Sequence, residues 1–233
     1  MLGIVVSLPW ELKSLTRAAI PVGGWTAIGP GALVALSGIG PERARAAGAV
    51  LVSQGATALL SWGYAAALDD RLRPGCLLLP EFIIAADGTI HPASPAWHRR
   101  LYSALQPRHP VRTDALVESR AIVKTSAEKQ ALAQKTQAAA ADMESAAQAR
   151  FAEEHRLPFL SLRAITDSAS TDIPASVLEA LDPQGHITVG GLLTRAHRRP
   201  TDWLLLLRLA VQFHAAQRAL KKTRKLVLHL PQG

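Results

Sequence analysis

Two pieces of the chain carry side chains able to move protons and hold charge. Ala141-Asp142-Met143-Glu144-Ser145-Ala146 reads as the opening of a helix with a carboxylate in its first turn. Phe159-Leu160-Ser161-Leu162-Arg163-Ala164-Ile165-Thr166-Asp167 is an apolar run of strand length that ends on a guanidinium and a carboxylate. Open α/β sheets bind ligands beyond the carboxyl ends of their strands, so Glu144, Arg163 and Asp167 are expected to converge on one pocket. A carboxyl group there can give or accept a proton during a reaction. Glu11 sits in a similar place, just after the strand Gly3 to Leu8. Taken singly, each of these acids is more often a helix-start residue complementing the helix dipole.

The elements that must position these groups follow from pattern. Gly3 to Leu8, Val34 to Ser37, Ala58 to Gly63 and Ala121 to Val123 read as strands, the first as a buried parallel one. Pro41 suits the first position of an alanine-rich helix after Gly38-Ile39-Gly40, whose free N–H groups could receive an anion or a hydroxyl. Phe82 to Ala85 extends into a hairpin turn at Ala86-Asp87-Gly88-Thr89, and Trp97 to Leu105 reads as a short helix. Thr125 to Lys129 opens another helix with a capping-box pattern. Ser168 to Pro174 reads as loop, and Asp182-Pro183-Gln184-Gly185 as a turn. The last helix starts near Asp202, with Leu205, Leu206, Leu209, Phe213, Ala216 and Leu220 on one face. Leu204, Leu207 and Val211 stray onto its polar side.

Composition narrows the class. A chain of 233 residues with 48% hydrophobic content is expected to form one α/β domain over residues 1–233. The single cysteine, Cys76, excludes an internal disulfide and reads as a small buried hydrophobe. His91, His98 and His109 lack metal-ligand spacing and read as surface residues, so no metal is expected. The N-terminal run reads as a strand and not as a secretion signal, and the longest apolar run is interrupted by Arg208. The expectation is a cytoplasmic protein. The net charge of +8 is not interleaved with aromatics, which argues against a nucleic-acid partner. Basic residues near the last helix, among them Arg195, Arg198, Arg199 and Lys221, leave peripheral contact with the inner membrane face as a minor reading.

Met143-Glu144 followed by Arg163-Ala164-Ile165-Thr166-Asp167 resembles the signature of the purine nucleoside phosphorylase and nucleosidase superfamily. Methylthioadenosine/S-adenosylhomocysteine nucleosidases belong to it. The stretch from Pro174 through Leu220 is most similar to the hopanoid-associated branch, thought to remove adenine from adenosylhopane. The resemblance implies a three-layer α/β fold with a mixed sheet between helices, no cofactor, and a homodimer. It implies cleavage of an N-ribosidic bond in an adenine nucleoside with a hydrophobic 5′ group, with Asp167 at purine N7 and Thr166 supporting it. Glu144 would hold the ribose hydroxyls and Met143 the ribose face. Arg163 and Glu11 would position and activate the nucleophile, with Gly38, Gly63 and Tyr64 near the sugar.

The chain departs from the family at two points. Trp62 and Tyr64 stand where small polar residues are usual, which fits either a pocket adapted to a greasy 5′ group or rings that fill core. Ser7-Leu8-Pro9-Trp10-Glu11 lacks the arginine of a phosphate loop, so water is preferred over phosphate as nucleophile. A phosphate-dependent purine nucleoside phosphorylase, a methylthioadenosine/S-adenosylhomocysteine nucleosidase, an inactive nucleoside-binding protein and a peripheral membrane protein are the alternatives. No phenylalanine follows the strand that carries the purine contact in the family, so the residue that stacks on the purine stays unassigned.

Overall fold

The computed structural model describes residues 1–180 and 202–229. Eleven strands join in one mixed sheet. At its centre lie β1 (Leu2–Val6), β4 (Ala58–Ala67) and β11 (Phe159–Asp167), with β1 and β11 both parallel to β4. Outside β1 come β3 (Ala32–Leu36) and β2 (Trp25–Ala27). The far end of β4 pairs instead with β10 (Ala140–Asp142), which leads to β9 (Leu116–Glu118), β6 (Phe82–Ile84) and β7 (Ile90–Pro92). Two short strands, β5 (Leu77–Leu78) and β8 (Val111–Arg112), continue from β11.

Side chains alternate across a strand, and β11 uses the alternation to build both faces. Leu160, Leu162 and Ala164 join the core beneath α1 (Pro9–Leu15), α3 (Pro95–Leu105) and the last helix, α7 (Asp202–His229). Phe159 and Ile165 join the opposite core, with α2 (Pro41–Ser53) and α5 (Ser145–Glu154). The result is the expected three-layer α/β arrangement. Two further helices among the described residues are α4 (Ser126–Thr136), which starts at the expected capping box, and α6 (Ala175–Ala180). There Glu128 N–H donates to Thr125 Oγ1 at 3.1 Å, and Thr125 N–H to Glu128 Oε2 at 3.2 Å.

Several expectations shift. The strand expected at Ala121 to Val123 is β9, at Leu116–Glu118, and residues 121–123 form irregular chain after it. The helix expected from Asp142 begins at Ser145, because Ala140–Asp142 is itself a strand and Glu144 is the N-cap. His91 and His98 are buried and not on the surface. His91 Nδ1 meets Glu153 Oε2 at 2.8 Å, and His98 Nε2 meets the Leu79 carbonyl at 2.9 Å. No cluster of metal-ligand side chains occurs among the described residues. The turn expected at Asp182 to Gly185 and the basic Arg195, Arg198 and Arg199 lie outside the described residues.

Candidate active site

Four carboxylates meet at the carboxyl ends of the central strands, around a cavity of about 210 Å³. Glu11, Asp142, Glu144 and Asp167 all line it, with Tyr64, Met143 and Thr166. The acids expected to converge therefore do so.

Glu11 is held by the backbone. Its Oε2 accepts from Ser7 N–H at 2.7 Å and Leu8 N–H at 2.9 Å, and its Oε1 from Tyr64 N–H at 2.9 Å. Burial raises its pKa above the ordinary carboxylate value, opposed by the charge of Arg163 and by those three N–H bonds. A carboxylate whose proton affinity is raised in this way is a stronger base toward an attacking water. The close approach depends on Gly63: a Cβ there would lie 2.1 Å from Glu11 Oε1. Gly63 thus packs under Glu11 and is not among the cavity-lining residues.

Glu144 projects from the start of α5, and its Oε1 accepts from Gly40 N–H at 2.9 Å. Gly40 adopts φ +108°, a left-handed conformation that favours glycine. The anion received by this glycine turn is thus a side chain of the protein itself. Gly38 lies behind the cavity, packed against Val22 and Arg43, while Ile39 faces in. Burial, reinforced by neighbouring Asp142, pushes the pKa of Glu144 up from 4.5 to about 8. Between these values the unfolded chain loses this proton while the native chain keeps it, so stability falls as pH rises. Glu144→Gln lacks that penalty. Its stability relative to wild type is expected to improve by about 2–4 kcal/mol between pH 5 and pH 8.5, read from thermal melts at both values.

Arg163 lies behind the cavity wall and does not line it. Alternation along β11 points it toward α5, where Nε donates to Asp142 Oδ2 at 2.8 Å. Nη2 donates to Ser61 Oγ at 2.5 Å and Ser145 Oγ at 2.7 Å. A buried cation needs a paired charge and filled hydrogen bonds, and Asp142 with these two serines supplies both. The Arg163–Asp142 pair thereby fixes Asp142 at the wall.

Asp167 reaches the cavity through a bulge. The register between β11 and β4 slips between Ile165 and Asp167, leaving Thr166 as the extra residue. Thr166 Oγ1 donates to Asp167 Oδ1 at 2.7 Å. The other oxygen, Oδ2, pairs with Lys129 Nζ from α4, a side chain fully removed from solvent. The same ammonium donates to the Ser168 carbonyl at 2.9 Å and the Thr171 carbonyl at 2.7 Å. Sequence reading missed Lys129, which looked like an ordinary cation on a capped helix.

The two aromatic departures play different parts. Trp62 is core: its Nε1–H donates to Ser14 Oγ at 2.8 Å beneath α1. Tyr64 lines the cavity and packs on Phe213 of α7 with ring centroids 5.0 Å apart, and Trp10 meets Phe213 edge-on at 6.1 Å. The cavity wall also includes the aliphatic groups of Ile122, Val123 and Ile173.

A central sheet of this order with acids at the strand ends defines a phosphorylase-type α/β domain. The family model described as the phosphorylase superfamily matches residues 2–188, and the chain belongs to that superfamily. Among solved structures it is similar to futalosine hydrolase of Helicobacter pylori, at 17% identity over 98% of this chain and 97% of that one, TM-score 0.72. It is also similar to the 5′-methylthioadenosine/S-adenosylhomocysteine nucleosidase of Neisseria meningitidis in complex with methylthio-immucillin-A. That likeness is 17% identity over 98% and 99% of the two chains, TM-score 0.71. The corresponding Helicobacter pylori nucleosidase with butyl-thio-DADMe-Immucillin-A gives 17% identity, 97% of each chain and a TM-score of 0.70. A search of curated protein sequences gives no match.

Proposed function

We propose that the chain is a hydrolase that cleaves the N-ribosidic bond of an adenine nucleoside carrying a hydrophobic 5′ group, with adenosylhopane as the substrate. The observation that carries the choice of water is the lining of the cavity: four acidic side chains and no lysine or arginine among the described residues. The two cations that touch its acids, Arg163 and Lys129, are already matched by Asp142 and Asp167. A phosphate dianion entering such a site finds no free lysine or arginine on its wall to bind it. Water needs none.

In this reading Glu11 takes a proton from water as its oxygen bonds to C1′. The C1′–N9 bond breaks with its electron pair passing into the purine, N7 takes a proton relayed from solvent through Asp167, and Glu11 returns to solvent the proton it took from water. Glu144 bonds the ribose hydroxyls and, in its ionised form, favours the positive charge that develops on the sugar, while Met143 covers its face. Ile122, Val123 and Ile173 offer the purine an aliphatic slot. Gly63 and Arg163 act from behind, through Glu11 and Asp142, and Gly40 acts through Glu144, while Gly38 belongs to the same turn. The aromatic group Tyr64, Phe213 and Trp10 supports a greasy 5′ substituent. The nucleosidases among the structural neighbours, two of them bound to thio-substituted analogues, support a nucleoside substrate of the same general kind.

The test is adenine release from adenosylhopane, methylthioadenosine and adenosine in phosphate-free buffer. Adenine is expected from adenosylhopane at a rate that added phosphate leaves unchanged. An absolute phosphate requirement would overturn the hydrolytic reading, and faster turnover of methylthioadenosine would overturn the choice of substrate.

A further inference from the structure

The outward face of α7 divides into two halves of different chemistry. Trp203, Leu204, Leu207 and Val211 are 46%, 79%, 64% and 65% exposed, an unusual concentration of large apolar side chains in solvent. At the same helical spacing the stripe continues through His214 to Arg218, Lys221, Lys222 and Lys225, all exposed. The inward stripe, Ala216, Leu220, Thr223 and Val227, is buried. From Trp203 to His229 the helix contains no Asp or Glu. The outward stripe from Leu204 to Lys225 is about 32 Å long at the rise of an α-helix.

We infer that this face of α7 docks on the surface of an anionic lipid bilayer. The leucines, the valine and Trp203 enter the headgroup boundary, and the lysines and arginine meet lipid phosphates. Tryptophan and leucine beside a cationic segment are the chemistry of helices that lie in a membrane interface. The charge of the rest of the chain has the same sign, for a total of +8, which draws it to a negative surface. No helix among the described residues is long and apolar enough to cross a membrane, so the contact is peripheral. A second copy fits this face poorly. Parallel pairing sets cations against cations, and antiparallel pairing sets cations against leucines. Docking also lies next to the cavity, because Phe213 on the flank of the same helix packs on cavity-lining Tyr64. The inference does not depend on the reaction proposed above, since it is read from binding alone.

The experiment is vesicle flotation of the full chain, with phosphatidylglycerol–phosphatidylcholine vesicles compared with pure phosphatidylcholine. Wild type is expected to float with the anionic vesicles and to bind neutral ones roughly tenfold or more weakly. Two triple variants, Leu204→Ser/Leu207→Ser/Val211→Ser and Arg218→Glu/Lys222→Glu/Lys225→Glu, change exposed positions only. Each is expected to lose binding by a similar factor, and high salt to release wild type. Wild type that stays unbound, or a serine variant that binds as well as wild type, overturns the inference. So does a solution mass that falls from two chains to one in the serine variant, which would assign the face to a second copy.

Discussion

Glu11→Gln is expected to lower kcat by about 10²–10⁴-fold, the usual contribution of a positioned general base, with nucleoside binding largely retained. The amide keeps the size of the carboxylate but cannot take the proton of an attacking water. It also carries two N–H donors into a site that already presents three, from Ser7, Leu8 and Tyr64. One end of the amide must then oppose an N–H group, so some stability is lost as well. Kinetics should therefore be measured well below the melting temperature of the variant. Single-turnover assays beside equilibrium binding of an unreactive nucleoside separate the two effects: kcat falls and affinity stays. Affinity lost in proportion to rate would instead make Glu11 a binding group.

Lys129→Met is expected to destabilise the fold by about 3–5 kcal/mol, because removing one partner of a buried ion pair strands the other. Lys129 Nζ neutralises Asp167 and caps the carbonyls of Ser168 and Thr171, which begin the loop leading away from the site. Methionine fills comparable space but satisfies none of these acceptors. If charge on Asp167 is the main cost, the double variant Lys129→Met/Asp167→Asn should recover much of the loss. Urea unfolding of the wild type, the single variants and the double variant gives the coupling directly. Catalysis should not recover in the double variant, because the group proposed to face the purine is gone.

Glu11, Glu144 and Asp167 were legible because each lies at a strand end or helix start, positions that periodicity locates. Their convergence followed from the carboxyl-end rule for α/β sheets. Other features needed three dimensions. Arg163 could be placed on a strand, but only the sheet shows that its side faces Ser61, Ser145 and Asp142 and not the cavity. Asp142 was passed over as a helix residue beside Glu144, whereas it ends β10 at the cavity wall. Lys129 is invisible locally, since its partners lie 38 to 42 residues further along. Gly63 looked like room for substrate, and the space it leaves is taken by Glu11. Trp62 and Tyr64 could not be told apart by composition. Ser14 claims the first for the core, and Phe213, more than a hundred residues away, claims the second for the cavity rim. His91 and His98 misled because a polar, proline-rich stretch was read as surface, while both rings turn inward to fixed partners.

The account stands on water reaching C1′ in a pocket of acids. Turnover of adenosylhopane in phosphate-free buffer made with oxygen-18 water tests this most directly, by mass spectrometry of the sugar product. One heavy oxygen on the ribosyl product beside free adenine is the predicted result. A ribosyl phosphate formed only when phosphate is supplied, with no heavy oxygen at C1′, would contradict it.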